Sequence, residues 1–381
     1  MTMNSRVFQI FVKPVGASCN LRCSYCYYLA KKNLYPESSL IMNDQLLEKY
    51  IIQHIKASTD ATIMFSWHGG EPTLAGIDFF RKAIALQKKH IPEGKNIING
   101  IQTNGVLLND EWCRFFSDEK FLVGISIDGP EEIHNMNRRN IDGIGSFSQT
   151  MRGYELLIKH EITTEILCVL NSGNVRYPHK IYNFFRDLCV RYITFLPLVE
   201  QQHGSTTAAT DESVNAIDYA HFLCDVFDVW VANDIGKISI QIFEELAITA
   251  FKREHTLCIF KVNCGGVPVI EHNGDFFSCD HYVDHQHLIG NINEGTIAEF
   301  LDCKRQQDFG KAKSLSLPVY CLKCEVRDMC NGECPKNRFI LTPDGEPGLN
   351  YLCEGYKLFF NHCRPFVEAL RKVWTNEKQN Q

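Results

Sequence analysis

The sequence predicts an α/β protein, an open partial barrel of six β/α repeats followed by a smaller cysteine-rich domain. Three observations predict it. Short, almost continuously apolar runs alternate with helix-length segments from Arg6 to about Pro197. Near residue 235 the alternation stops, and turns and cysteines replace it. The chemically unusual residues sit just after the candidate strands, where parallel α/β folds carry their reactive loops.

Taken in order, the strand candidates are Val7–Val12, Ala61–Ser66, Asn96–Thr103, Phe121–Ile127, Glu165–Leu170 and Tyr192–Leu196. Each is rich in Ile, Val, Phe or Thr, as strands covered on both faces are. Helices are expected between them at Asn43–Ala57, Gly76–His90, Asn109–Ser117, Phe147–His160 and Pro178–Cys189, with Asn43, Asn109 and Ser146 as N-caps. Strand–helix repetition of this kind implies a parallel sheet with right-handed crossovers. The polar tract Gln201–Thr210 reads as a loop, and a helix is expected over about Asp211–Asn233. The domain division therefore falls between 1–234 and 235–381.

Composition narrows the function classes. Of 381 residues, 45% are apolar and 22% charged, enough for a substantial core and incompatible with intrinsic disorder. Lys and Arg minus Asp and Glu gives 39 − 45 = −6, which argues against nucleic acid or anionic membrane as a partner. No apolar run reaches the ~18 residues of a membrane span. Met1–Arg6 is polar and leads into an apolar strand, unlike an export signal, so a cytoplasmic location is expected. In that reducing setting 17 cysteines, unevenly clustered, indicate metal rather than disulfides. The six scattered ones (Cys113, Cys168, Cys189, Cys224, Cys303, Cys363) read as small buried apolar residues.

The first cluster is Cys19, Cys23 and Cys26, in the loop after strand 1. A structural zinc site takes four ligands and an electron-transfer [4Fe–4S] cluster normally four cysteines. Three cysteines leave one iron with an open position for a small molecule. Zinc completed by a distant fourth ligand is the competing reading. Cys-x3-Cys-x2-Cys with an aromatic, Tyr25, before the last cysteine resembles the signature of the radical S-adenosylmethionine (SAM) superfamily. The resemblance implies that the open iron chelates SAM and that reductive cleavage yields a 5′-deoxyadenosyl radical. Gly69, Gly70, Glu71 and Pro72 are similar to the family's GGEP element, which meets the SAM amino group; a glycine pair permits close backbone approach and a carboxylate accepts from an ammonium. By position, Ser126 and Arg138 resemble residues that contact SAM's ribose and carboxylate, with Arg139 an equal candidate, and Leu198 one near the adenine. His68 either lines the site or packs.

The last third repeats the theme. Cys264-x9-Gly274-x4-Cys279 is followed by Cys321-x2-Cys324-x5-Cys330-x3-Cys334, with Cys353 farther on. This register resembles the SPASM domain, a radical-SAM appendage with auxiliary iron–sulfur clusters. Adding Cys258 gives eight cysteines, two sets of four. The resemblance implies that Cys258, Cys264, Cys279 and Cys334 hold the first auxiliary [4Fe–4S] cluster and Cys321, Cys324, Cys330 and Cys353 the second. Residues 321–334 alone would favour zinc.

Within that group the chain from about Phe8 to Phe366 resembles the anaerobic sulfatase-maturating enzymes. The segments carrying the resemblance are Cys23–Tyr28, Trp67–Leu74, Gln102–Gly105, Ser126–Pro130 and Cys279–His281. It implies oxidation of a sulfatase's active-site Cys or Ser, in a Cys/Ser-x-Pro/Ala-x-Arg motif, to formylglycine without oxygen. A hydrogen leaves the target Cβ, a base takes the thiol or hydroxyl proton, and the auxiliary clusters take the second electron. Asp280, beside a cluster ligand, matches the family's base, Tyr28 is a candidate peptide contact, and a flavodoxin- or ferredoxin-like reductant is the expected electron donor. A maturase of another ribosomal peptide is the nearer alternative, though many carry an N-terminal peptide-binding domain for which a strand starting at residue 7 leaves no room. A non-enzymatic electron carrier needs no open iron. Purified without oxygen, the chain should contain about twelve irons, four per cluster; zinc, or about four irons, would overturn this reading.

Overall fold

Among the described residues ten strands form the principal β structure: β1 (Phe11–Val12), β2 (Thr62–Trp67), β3 (Asn96–Thr103), β4 (Leu122–Ser126), β5 (Thr164–Leu170), β6 (Tyr192–Pro197), β7 (Ser239–Ile240), β8 (Val269–Ile270), β9 (Asp275–Phe277) and β10 (Leu288–Asn291). This is a computed structural model, and it describes residues 6–35 and 41–379. Met1–Ser5, part of the segment read as unlike an export signal, lie outside the described residues. The described residues pack as two compact units. One draws on Met1–Ser126, His134–Glu165 and Gly265–Gly310, the other on Ile127–Ile133, Ile166–Cys264 and Lys311–Gln381.

In the first unit the strand order is β10-β9-β8-β1-β2-β3-β4. β1 to β4 run parallel, with Phe11 opposite Ser66, Thr62 opposite Asn96 and Gly100 opposite Leu122. Val12, Ile63, Phe65, Trp67, Ile101, Val123 and Ile125 are buried among them, which is why these runs read as continuously apolar. The expected strand Val7–Val12 is a strand only over Phe11–Val12, although Gln9 N still donates to Gly266 O at 2.8 Å. Nor is β1 the end of the sheet. β8 pairs with it in parallel, Phe11 opposite Val269, and β9 and β10 continue antiparallel. Two apolar residues between turns, Val269 and Ile270, carry no periodicity from which a strand could be read.

In the second unit the order is β5-β6-β7, with Tyr192 opposite Ser239 in parallel. Its core is a helix pair, Ala216–Asn233 against Cys353–Gln379, with the Tyr219 and Tyr356 rings edge to face at 5.7 Å. A Cβ on Gly355 would fall 2.1 Å from Ala216 O, so glycine sets the closeness of the helices. The region after 235 is thus more helical than expected: Gln241–Ala250, Lys304–Leu315 and the 27-residue C-terminal helix all lie there. The density of cysteines masked the apolar spacing of Phe359, Phe360, Cys363 and Val367, all buried. The expected helix Asp211–Asn233 begins only at Ala216, because Asn215 caps it by accepting from the Ile217 and Asp218 amides.

Asn43 and Asn109 cap their helices through the Leu46 and Trp112 amides, as expected. Ser146 does not. Its hydroxyl donates to Arg138 O (3.0 Å) and meets His134 Nε2 (3.1 Å), bracing the loop before its helix instead. Among the described residues no helix is long and apolar enough to cross a membrane.

The loop after β2 lies along the loop after β1. His68 N donates to Val12 O (2.7 Å), Gly70 N to Gly16 O (2.8 Å) and Glu71 N to Ser18 O (2.8 Å). A Cβ on Gly70 would stand 2.1 Å from Ser18 O. Gly70→Ala must therefore displace the backbone leading into the cysteines. It should cost about 2 kcal/mol of overpacking strain, read as a lower urea midpoint, with less iron retained; wild-type values for both would refute the close fit.

Candidate active site

Three loops of the first unit assemble this site, following β1, β2 and β3. Cys19, Cys23 and Cys26 are half-buried in the first. The Leu21 amide donates to Cys19 Sγ at 3.4 Å, and Asn104, beyond β3, places Nδ2 3.7 Å from the same sulfur and 2.7 Å from Asn20 Oδ1. Burial pushes the Cys19 thiol up to about 12; the Leu21 N–H opposes this, and charges on Glu71, Cys23 and Cys26 add to the rise. The three thiols are therefore close enough that ionising one hinders the others. A cationic iron–sulfur core relieves that repulsion, so the donor set fits such a group. Among the described residues no three His, Cys, Asp or Glu side chains converge as ligands of a single ion. The thiolates of a four-iron cluster each bind a different iron and need not converge.

Glu71 is fully buried. Its Oε1 accepts from Thr73 N (3.1 Å), Thr73 Oγ1 (2.6 Å) and Thr103 Oγ1 (2.8 Å), and its Oε2 from Asn104 N (2.7 Å). Burial raises its pKa, and those donors hold the rise in check. Glu71 thus fastens the β2 loop to the β3 loop, and only Oε2 keeps a lone pair for another donor. Pro72, also buried, opens the short 3-10 turn Pro72–Ala75. Gly69 adopts φ +131°, open to glycine alone.

Ser126, at the end of β4, accepts from Gln102 Nε2 at 3.1 Å. Of the two candidate arginines, Arg138 is buried, its guanidinium carbon 5.6 Å above the Tyr25 ring centroid. Arg139 is exposed and turned to Asn135 O and Gly143 O. Leu198 belongs to the second unit, buried, its amide on Leu170 O. His68 stacks on Phe11 at 3.9 Å. Tyr28 is buried with its hydroxyl donating to Glu271.

Asp280 sits near-buried in the first unit, Oδ1 2.6 Å from Lys13 Nζ, while the Tyr27 hydroxyl donates to Oδ2. Burial works to raise its pKa, but the charge of Lys13, then that of His281, prevails, and the net direction is downward. Burial and the Asp280 charge drive Tyr27 the other way, well above its ordinary value, so the phenol remains a donor. Sequence reasoning missed Lys13, Tyr27 and Asn104. The readable signal was Lys13 itself, a lysine ending an apolar strand directly before a metal-ligand loop; it is 2% exposed, and its ammonium lies 4.4 Å from the Tyr28 ring centroid.

The C-terminal cysteines fall into neighbourhoods. In the second unit Cys258, Cys264 and Cys334 surround Lys313 closely enough to act on its charge. Cys353 likewise senses Cys321 and Cys324, and Cys330 senses Cys353 and Cys321. Cys279, in the first unit, acts on Tyr27. Of the scattered cysteines, Cys113, Cys168, Cys224 and Cys363 are buried as expected, but Cys189 is exposed and Cys303 half-buried. Cys189 has φ +54° in the turn closing a helix, where the chain bends out to solvent.

The chain matches the radical SAM superfamily over residues 14–184 and the SPASM iron–sulfur cluster-binding domain over residues 264–325. It is 44% identical to the serine-type anaerobic sulfatase-maturating enzyme of Bacteroides thetaiotaomicron, covering 97% of this chain and 92% of that one. The cysteine-type enzyme of Clostridium perfringens strain 13 is 34% identical, over 93% of this chain and 96% of its own. A solved structure of native anSMEcpe with bound AdoMet and Kp18Cys peptide superposes with a TM-score of 0.88 at 33% identity, covering 96% and 99% of the two chains. A whole-chain likeness of this extent places the protein: it belongs to the anaerobic sulfatase-maturating enzymes, radical SAM proteins with a C-terminal SPASM domain.

Proposed function

We propose that the protein oxidises an active-site Cys or Ser of a sulfatase to formylglycine, using SAM and three [4Fe–4S] clusters. The observation that carries the reading is the buried Lys13–Asp280–Tyr27 constellation beside the three-cysteine loop. Residues 1–234 supply the SAM-binding barrel and 235–381 the auxiliary clusters. Cys19, Cys23 and Cys26 hold the SAM-binding cluster, with Tyr25, Gly69, Gly70, Glu71, Pro72, Ser126, Arg138 and Leu198 around the cofactor. Cys258, Cys264, Cys279 and Cys334 hold one auxiliary cluster, and Cys321, Cys324, Cys330 and Cys353 the other; the charges acting around Lys313 support Cys258, Cys264 and Cys334 as neighbours, and those around Cys353 and Cys330 support the second set. With clusters and SAM bound, reductive cleavage supplies the radical that takes hydrogen from the target Cβ, and the auxiliary clusters receive the second electron.

The protein's own groups manage the proton. Asp280, held ionised by Lys13, accepts it from the target thiol or hydroxyl. Lys13 both orients Oδ1 and restrains its basicity, and Tyr27 fixes Oδ2 as a neutral donor. Burial keeps bulk water from competing for the carboxylate. Glu71, by tying Thr103 and Asn104 to the β2 loop, keeps Asn104 against Cys19. The target is a polypeptide with a Cys/Ser-x-Pro/Ala-x-Arg motif, the electron donor a flavodoxin- or ferredoxin-like protein, and the setting the cytoplasm.

Anaerobic mass spectrometry with SAM, reductant and such a peptide tests this. A Cys peptide should exchange sulfur and two hydrogens for one oxygen, and a Ser peptide should lose two hydrogens. Release of 5′-deoxyadenosine with neither change would defeat the assignment. Asp280→Asn should abolish product, and turnover in that variant would remove Asp280 as the base. Lys13→Met, leaving a carboxylate without its cation, should lower stability by about 3 kcal/mol, visible as a lower denaturant midpoint; an unchanged midpoint would mean the pair holds nothing together.

A further inference from the structure

Near the cysteines of the second unit lies a buried lysine that takes no part in the proposed reaction. Lys313 is 1% exposed. Its Nζ donates to Cys258 O (2.9 Å) and Ile259 O (2.7 Å), two of the three bonds an ammonium can make. Both partners are neutral, yet burying an ammonium is costly unless negative charge lies nearby. Burial lowers the Lys313 pKa, and the charges of Cys264, Glu333, Cys258 and Cys334 oppose that fall.

The balance of fixed charge there is positive. Glu333 is the buried anion, and its oxygens accept from Asn337 Nδ2 (3.1 Å) and from Asn350. Against it stand Lys313 and Arg338, whose Nη1 donates to Lys313 O (2.6 Å) and Nε to Gly332 O (2.8 Å); the charge of Arg338 reaches Cys264 and, in the other set, Cys321, so Lys313 is the cation particular to this set. The other set of cysteines differs. The lysine acting on Cys353 and Cys324 is Lys357, which is partly exposed, hydrogen-bonded to Tyr320 (3.2 Å) and paired with Glu325 at 3.6 Å. Solvent and a counter-ion screen that cation, whereas Lys313 is shut off from solvent and has Glu333 as its fixed counter-charge.

Reducing a cluster by one electron adds one negative charge, and a nearby unscreened cation stabilises the reduced form. We propose that Lys313 would make the auxiliary cluster held by Cys258, Cys264 and Cys334 the more easily reduced of the two. The proposal rests on the cluster assignment under Proposed function.

The test uses the full-length chain with Cys19, Cys23 and Cys26 changed to Ala, so that only auxiliary clusters contribute. Redox titration followed by electron paramagnetic resonance then compares Lys313 with Lys313→Arg and Lys313→Met. In the Met variant one midpoint should fall by at least tenfold in the reduction equilibrium, ~59 mV for one electron, while the other stays put. The Arg variant should keep both. An unmoved pair of midpoints in the Met variant at the parent's iron content, or equal shifts in both, would overturn the proposal. If Met impairs loading, Lys313→Gln, which retains donors for the two carbonyls, replaces it, and a parent-like midpoint there counts against Lys313. A parent lacking auxiliary-cluster signals would instead defeat the cluster assignment before any change at Lys313.

Discussion

Thiols that must ionise while crowded together and partly withdrawn from water set the terms for this chain. Half-buried thiols must ionise to bind metal, yet burial and their neighbours oppose ionisation, as the rise of Cys19 illustrates. The loops around them supply what the thiols lack. Amide donors reach Cys19 from Leu21 and Asn104, and Lys313 stands among Cys258, Cys264 and Cys334. An iron–sulfur core completes the compensation, which couples folding of these segments to metal loading.

The same reasoning explains why Asp280, the proposed base, stands beside a lysine. A near-buried carboxylate without a cation would protonate; Lys13 keeps Asp280 charged at the expense of some basicity. That pairing joins residues 267 positions apart in sequence, and it exists because β8 lies against β1. Strand pairing and ion pairing are thus one arrangement: Lys13 follows β1 directly, and Asp280 follows the β8–β9 hairpin.

Much of this was legible beforehand, and unevenly. Long, periodic elements such as β3 and the helices capped by Asn43 and Asn109 announce themselves through local chemistry. The cysteine loop and the Gly69–Pro72 segment were legible because few residue types serve such loops. What escaped were features made by distant pairing: the two-residue β8, the Lys13–Asp280 ion pair, and the fastening of Asn104 by Glu71. So did the bond from the Tyr28 hydroxyl to Glu271, 243 positions away. The C-terminal helix was hidden by the very cysteines that drew the eye.

The interleaving of the chain bears on how such a protein could be divided. Gly265–Gly310 belongs by packing with the barrel strands rather than with the cysteines around it in sequence. A fragment ending at residue 234 would forfeit β8, leave β1 as a bare edge open to intermolecular pairing, and strand Lys13 without its counter-ion. Chimeras that graft a foreign auxiliary region onto this barrel would have to carry that hairpin along with the barrel, as a unit of inheritance that no cut in the linear sequence delivers.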